Sequence, residues 1–376
     1  MAVDSRDLSS FGERLLATID RGRRTGTHKL ALLLALLDEV PEHFCPSSGQ
    51  PPQALPLSAV AHRVLSYMIQ QSRPFPGCTQ PLNHMKGRQS RLVTAASEAR
   101  ERLGVYDASL RDADDLRVRD VGSYRSAVTK IENKLIEDPL PRLQGDVSDR
   151  QFLYQWDWPP GTSGRQVRDD VGGDAEIPLV AGAAEELVRL TPLVRPLIEL
   201  HYVRDVARYN EMQTVEEELL EYLFGSERGH VTTLVRRQIR KRQHSRCFYA
   251  DEHHDPPGPT RGPRLVLDHF MPWSRFRLDA PENFVLATES RNRSKSDHLP
   301  HARHVVRYLQ SARPIEGEVV RVARDRLERT RAVIASAYRA APLGTPTWVR
   351  RSSEGPIFEP LTESARAEIL AALSSG

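Results

Sequence analysis

Residues 265–300 read LVLDHFMPWSRFRLDAPENFVLATESRNRSKSDHLP. Leu265-Val266-Leu267 is a short aliphatic run that predicts a strand, and Phe284-Val285-Leu286-Ala287 predicts a second one. From Ser290 onward the pattern predicts a helix start. The polar residues fall at particular places in this frame. Asp268 and His269 end the first strand, Asn283 immediately precedes the second, and Asn292 and Lys295 are three apart, on one face of the helix.

Hydrolysis of a phosphodiester needs an attacking water that loses its proton, stabilisation of charge on the phosphate and the leaving oxygen, and alignment of both. His269 is suited to be the base, because an imidazole with a pKa near 6.5 accepts a proton at neutral pH. Asp268 offers a hard carboxylate oxygen to a cation such as Mg²⁺, and Asn292 an amide oxygen of the same type. So small a ligand set leaves coordination positions for water and for a phosphate. Taken singly, each residue has a plainer reading: Asp268 and His269 as an ion pair at a strand end, Asn283 as a turn cap after Pro281, and Lys295 as a solvated helix residue. Trp273 and Phe270 read more readily as packing than as base-stacking residues.

The set as a whole, with Pro272-Trp273-Ser274, the Asn-Phe-Val-Leu-Ala run from Asn283 and Asn292-Arg293-Ser294-Lys295, resembles the HNH nuclease family. The resemblance spans about residues 243–304 and is closest to the variant with Asn in the third position, as in the HNH domain of the CRISPR effector nuclease. It implies a ββα-metal fold. It further implies metal ligation by Asp268 and Asn292, general-base action by His269, loop fixation by Asn283 with orientation of His269, and a phosphate contact or support of a ligand by Lys295. The implied cofactor is Mg²⁺ or Mn²⁺, and the implied products carry a 5′ phosphate and a 3′ hydroxyl. Many relatives also bind a structural zinc through two Cys-x-x-Cys pairs. Here Cys247-Phe248-Tyr249-Ala250 lacks the second cysteine. Cys247 with His253 and His254 would be an improvised set, so a structural zinc is not expected. Arg23 to Leu33 is similar to the start of some bacterial HNH proteins found among restriction-type genes.

Outward from this unit, the sequence predicts a mainly α protein, with a helical N-terminal region and the small ββα-metal unit towards the C-terminus. Helices are predicted over 11–19 with Ser9 or Ser10 as cap, 28–40 (apolar on nearly every face and stopped by Pro41), 59–70, 124–136, 183–190, 196–209, 215–224, 319–339 and 362–373. The Gly-, Ser- and Asp-rich stretch 159–174 is predicted to be a loop. The organisation expected is a helical domain over 1–160, a helical connection over 175–235, the nuclease unit over 236–310 and a helical segment over 311–376.

Residues 231–246 carry a basic run, in which Arg236, Arg237, Arg240 and Lys241 are candidate contacts to a nucleic-acid backbone. Arg275, Arg291 and Arg293, which flank the site, are further candidates. His298, His301 and His304 recur at three-residue spacing, and a surface helix face is the reading favoured over a groove lining. A net charge of +3 over 376 residues does not by itself mark a nucleic-acid binder, so local clustering carries the argument. Three scattered cysteines form no disulfide framework, and no apolar run approaches the ~20 residues of a membrane span. With no export signal, a cytoplasmic protein without membrane association is expected. The partner expected is DNA, with a homodimer as one route to a double-strand break. An RNA or single-strand nuclease, and a nucleic-acid-binding protein with a vestigial site, stay open as alternatives.

Overall fold

The computed structural model describes residues 10–22, 24–105, 109–145, 151–212, 216–225, 233–250, 264–315 and 320–375. Its contacts divide the chain into two units, Met1–Val40 with Pro52–Ser226, and Pro41–Pro51 with Glu227–Gly376.

The first unit is helical. It holds α1 (Phe11–Arg21), α2 (His28–Glu42, whose last residues pass into the second unit), β1 (Ala54–Pro56), α3 (Leu57–Gln71), α4 (Arg91–Leu103), α5 (Ala113–Arg119), α6 (Val121–Glu137), α7 (Pro139–Arg142), α8 (Gly164–Val171), β2 (Glu176–Pro178), α9 (Ala183–Tyr209) and α10 (Glu216–Phe224). Ser10 starts α1 through a capping box with Glu13. Residues 30–37 of α2 are all buried, as a helix without a polar face requires. The sequence predicts two helices where α9 runs unbroken for 27 residues through Pro192 and Pro196. Pro196, Leu193 and Leu197 are exposed, whereas Val194, Arg195 and Ile198 are buried. The inner side is therefore held by packing, while Pro196 falls on the exposed side, where a lost backbone bond costs least. The expected loop at 159–174 contains α8, capped by Ser163.

The second unit carries α11 (Thr233–Arg242), β3 (Leu265–His269), a 3₁₀ turn at Pro281–Asn283, β4 (Phe284–Thr288), α12 (Glu289–Lys295), β5 (Leu299–Pro300), α13 (Ala302–Ser311), α14 (Val320–Ala340), β6 (Pro346–Arg351), β7 (Pro356–Pro360) and α15 (Glu363–Ser374). β3 and β4 pair antiparallel, Leu265 opposite Thr288 through to His269 opposite Phe284. With α12 they make the ββα unit that the sequence predicts. β5 pairs parallel with β6, and β6 antiparallel with β7. β6 and β7 lie within 311–376, for which only a helical segment is expected. Their prolines stand at strand ends, Pro346, Pro356 and Pro360, where they interrupt little of the ladder.

Candidate active site

The 270–283 loop is closed by Asn283. This fully buried amide accepts from the Met271 N–H at 2.9 Å and donates to the Met271 and Leu278 carbonyls at 3.1 and 3.0 Å. The Phe270 N–H donates to the Asn283 carbonyl at 2.7 Å, so the chain leaving β3 and the chain entering β4 are tied at one residue. Glu282 is also buried, held by the Arg326 guanidinium at 2.9 Å and the Ile315 N–H. Phe270 stacks on Tyr308 with centroids 4.2 Å apart. The loop is thus fixed from both sides before any ligand is considered.

Asp268 and His269 project from the fixed end of β3. Tyr249 donates its hydroxyl to Asp268 Oδ2 at 2.7 Å, and Lys295 Nζ stands 3.3 Å from the same oxygen. Lys295 Nζ also donates to the His269 carbonyl at 3.0 Å. Burial pushes the Asp268 carboxyl above its ordinary value, while Lys295 and the Tyr249 hydroxyl act the other way. Burial, then the neighbouring Asp268, pushes the Tyr249 phenol well up, so it stays a neutral donor. Lys295 is 1% exposed and lies between the Asp268 carboxylate and the His269 carbonyl.

The His269 ring lies against Phe284, with centroids 4.3 Å apart, and its Nε2 is 2.7 Å from Asp279 Oδ1. Asp279 is half-exposed, and with Tyr249 it is a site residue that the motif reading missed. Thr288 caps α12 and the Trp348 indole donates to Ser294 Oγ at 3.0 Å, which steadies the helix that presents Asn292 and Lys295. Asn292 is half-buried, and its side-chain amide makes no hydrogen bond among the described residues. A carboxylate and an imidazole therefore stand at one end of the hairpin, and the unengaged Asn292 amide lies one turn before Lys295 on the helix whose lysine reaches Asp268.

Residues 260–301 match the family model described as HNH endonuclease. This segment belongs to that family. No curated protein and no solved structure matches the chain. The HNH segment is a small part of the 376 residues, and the match says nothing of the helical unit.

HNH nucleases generally use a divalent cation. The donor set here fits one: Asp268 Oδ1 has no hydrogen-bond partner among the described residues, and the Asn292 amide oxygen is a second hard donor. No group of three His, Cys, Asp or Glu side chains among the described residues is placed to hold a metal. The Cys247 thiol accepts from the Thr288 N–H at 3.3 Å, and His253 and His254 lie outside the described residues.

The flanking arginines differ from one another. Arg293 pairs with Glu289 at 2.9 Å on the exposed face of α12. Arg275 is half-buried with its Nε buried and unpartnered, and Arg291 is half-buried. The three histidines after the site do not form the surface helix face that the sequence favours. His301 caps α13, His304 is 2% exposed and donates its Nε2–H to the Val349 carbonyl at 2.7 Å, and His298 is half-buried against Phe358. Spacing of three does not put them on one helix face because His298 precedes β5 and α13 begins only at Ala302. Among the described residues no helix is long and apolar enough to cross a membrane.

Proposed function

We propose that this protein is a metal-dependent endonuclease that hydrolyses phosphodiester bonds in DNA. The observation that carries the reading is the juxtaposition of Asp268 and His269 at the strand end with one Asp268 oxygen and the Asn292 amide left unengaged. His269 takes the proton from the attacking water. Asp279 holds Nε2 and so sets the ring plane, leaving the other ring nitrogen for that proton. Lys295 and Tyr249 both hold Oδ2 of Asp268, which leaves Oδ1 as the oxygen that would be available to a cation. Asp268 and Asn292 would hold Mg²⁺ or Mn²⁺, which supplies charge stabilisation on the phosphate and the leaving oxygen. Asn283 keeps the loop closed and His269 in register. One such site cuts one strand, so a double-strand break takes a homodimer or two successive nicks. The likeness of 23–33 to restriction-type proteins supports a role in host defence.

The test is incubation of supercoiled plasmid with the full chain and with His269→Ala, in Mg²⁺, in Mn²⁺ and in EDTA. Wild type nicks or linearises the plasmid in either metal and not in EDTA, and the variant is slower by about 10²- to 10⁴-fold. A variant as fast as wild type, or cleavage that survives EDTA, sinks this reading. Cleavage of a paired RNA substrate in place of DNA moves it to the RNA alternative.

A further inference from the structure

α11 has two faces of opposite character. Val235 and Ile239, four residues apart, are buried in one cluster with Phe284, Leu286 and Ile315, closed by Leu265 and Leu267. On the other side, Arg236, Arg237, Arg240 and Lys241 are all exposed, and none makes an ion pair or side-chain hydrogen bond among the described residues. The helix sequence, TLVRRQIRKR, contains no acid. Several exposed arginines on other helices are matched within a turn, as Arg189 is by Glu186 and Arg293 by Glu289. A solvated face of that ordinary kind mixes its charges, because like charges at four-residue spacing destabilise a helix. The face of α11 does not.

The placement of this face relates it to the site. In a strand, alternate residues share a side, so Leu265, Leu267 and His269 lie on one face of the hairpin with their partners Leu286 and Phe284. That is the face on which α11 packs, and Phe284 touches both the α11 cluster and the His269 ring. The apolar underside of α11 therefore anchors a four-cation strip to the same face that carries the base.

We propose that α11 is a phosphate rail for double-stranded DNA, seating the duplex backbone beside His269. This rests on the nuclease reading and names the substrate form of the same site. Charge density favours the duplex. Five helical steps from Arg236 to Lys241 advance ~7.5 Å. Over that length a duplex presents about four negative charges, at one per ~1.7 Å, and a single strand about two, at one per ~3.4 Å. Four cations match the duplex.

The experiment is equilibrium binding of a fluorescein-labelled 20-base-pair duplex, and of one of its strands alone, by the full chain in EDTA over about 50–200 mM KCl. It compares wild type with the quadruple variant Arg236→Gln, Arg237→Gln, Arg240→Gln, Lys241→Gln, and with the charge-retaining Arg236→Lys, Arg237→Lys, Arg240→Lys. In the quadruple variant the slope of log affinity against log salt on duplex flattens by about 3 to 4, and affinity at 50 mM falls at least tenfold. The charge-retaining variant keeps the wild-type slope, which separates loss of charge from loss of fold. An unchanged slope in the quadruple variant, or no wild-type binding to duplex, overturns the rail. An equal slope and affinity on single strand overturns the duplex assignment. Failure of the nuclease reading looks different: the slope flattens as stated, while wild type cuts no plasmid in Mg²⁺ or Mn²⁺.

Discussion

Two buried clusters, one in each unit, are built from the same three groups. In the helical unit Asp38 of α2 accepts from the Tyr67 hydroxyl and pairs with Arg195 of α9. In the nuclease unit Asp268 accepts from the Tyr249 hydroxyl and pairs with Lys295. The two carboxylates are almost equally shielded, at 5% and 6% exposure, so burial does not tell them apart. In both, burial and the adjoining carboxylate push the tyrosine up. The difference lies in which oxygens are used. Tyr67 takes Oδ2 of Asp38 and Arg195 Nη2 takes Oδ1, so the carboxylate is spent, and Arg195 turns Nη1 to Glu199 at 3.6 Å. Tyr249 and Lys295 converge on one oxygen of Asp268 and leave the other, next to a base and one helical face from an unengaged amide. A buried carboxylate–tyrosine–cation cluster is therefore a structural clamp when both oxygens are taken, and a candidate site when one remains.

Paired substitutions break this comparison most directly. Asp268→Asn removes the charged ligand, and plasmid cleavage falls by at least ~10²-fold, the scale on which single electrostatic groups in active sites act. Asp38→Asn strips Arg195 of its main partner inside the protein and lowers stability by about 3–5 kcal/mol in urea unfolding, with cleavage per folded molecule unchanged. Equal loss of cleavage in both, with stability untouched in Asp38→Asn, would erase the distinction. The tyrosines sharpen it at smaller amplitude. Tyr249→Phe frees one lone pair of Asp268 and lets it turn, costing about 10- to 100-fold in single-turnover cleavage, as loss of an outer support of a metal ligand does. Tyr67→Phe costs about 1–3 kcal/mol of stability and no cleavage. A Tyr249→Phe enzyme with wild-type turnover would show that Lys295 alone holds Asp268.

The same comparison shows which parts of the molecule the sequence discloses. The hairpin and its polar residues are readable because strand period, turn residues and motif spacing are local. Asp268, His269, Asn283, Asn292 and Lys295 all fall within one short segment, and Leu265–Leu267 and Phe284–Ala287 mark the two strands. The long α2 is readable from its unbroken apolar run. What escapes reading depends on contacts across the chain. Tyr249 comes to Asp268 from 19 residues upstream, and nothing in Cys247-Phe248-Tyr249 marks the phenol as its partner. Asp279 is one of two acids in the 270–283 loop until Asn283 folds that loop back. The β5–β6–β7 sheet escapes because prolines at strand ends look like breakers in sequence, and α9 because two prolines interrupt a helix whose buried side holds it together.

The smallest effect in the comparison is one of pH, and it pits one buried histidine of each unit against the other. His84 in the helical unit and His304 in the nuclease unit are both held down to about 3, by burial in each case, with the Val349 carbonyl opposing the shift at His304. Each also has a buried ring nitrogen without a partner, Nε2 in His84 and Nδ1 in His304, so protonation would leave an N–H unsatisfied. In the unfolded chain both titrate near 6.5. Between there and about 3 the unfolded state therefore binds protons that the folded state does not. Stability falls as pH drops through that window and is flat above about 7, at up to ~1.4 kcal/mol per pH unit for each histidine. Carboxylates add their own slopes nearer pH 4, so the histidine contribution is read between pH 6.5 and 5 by urea midpoints. His84→Gln and His304→Gln each remove one proton's worth of that slope, leaving the other histidine's share intact. A slope unchanged by either substitution would mean that water reaches these rings and that burial does not hold them neutral.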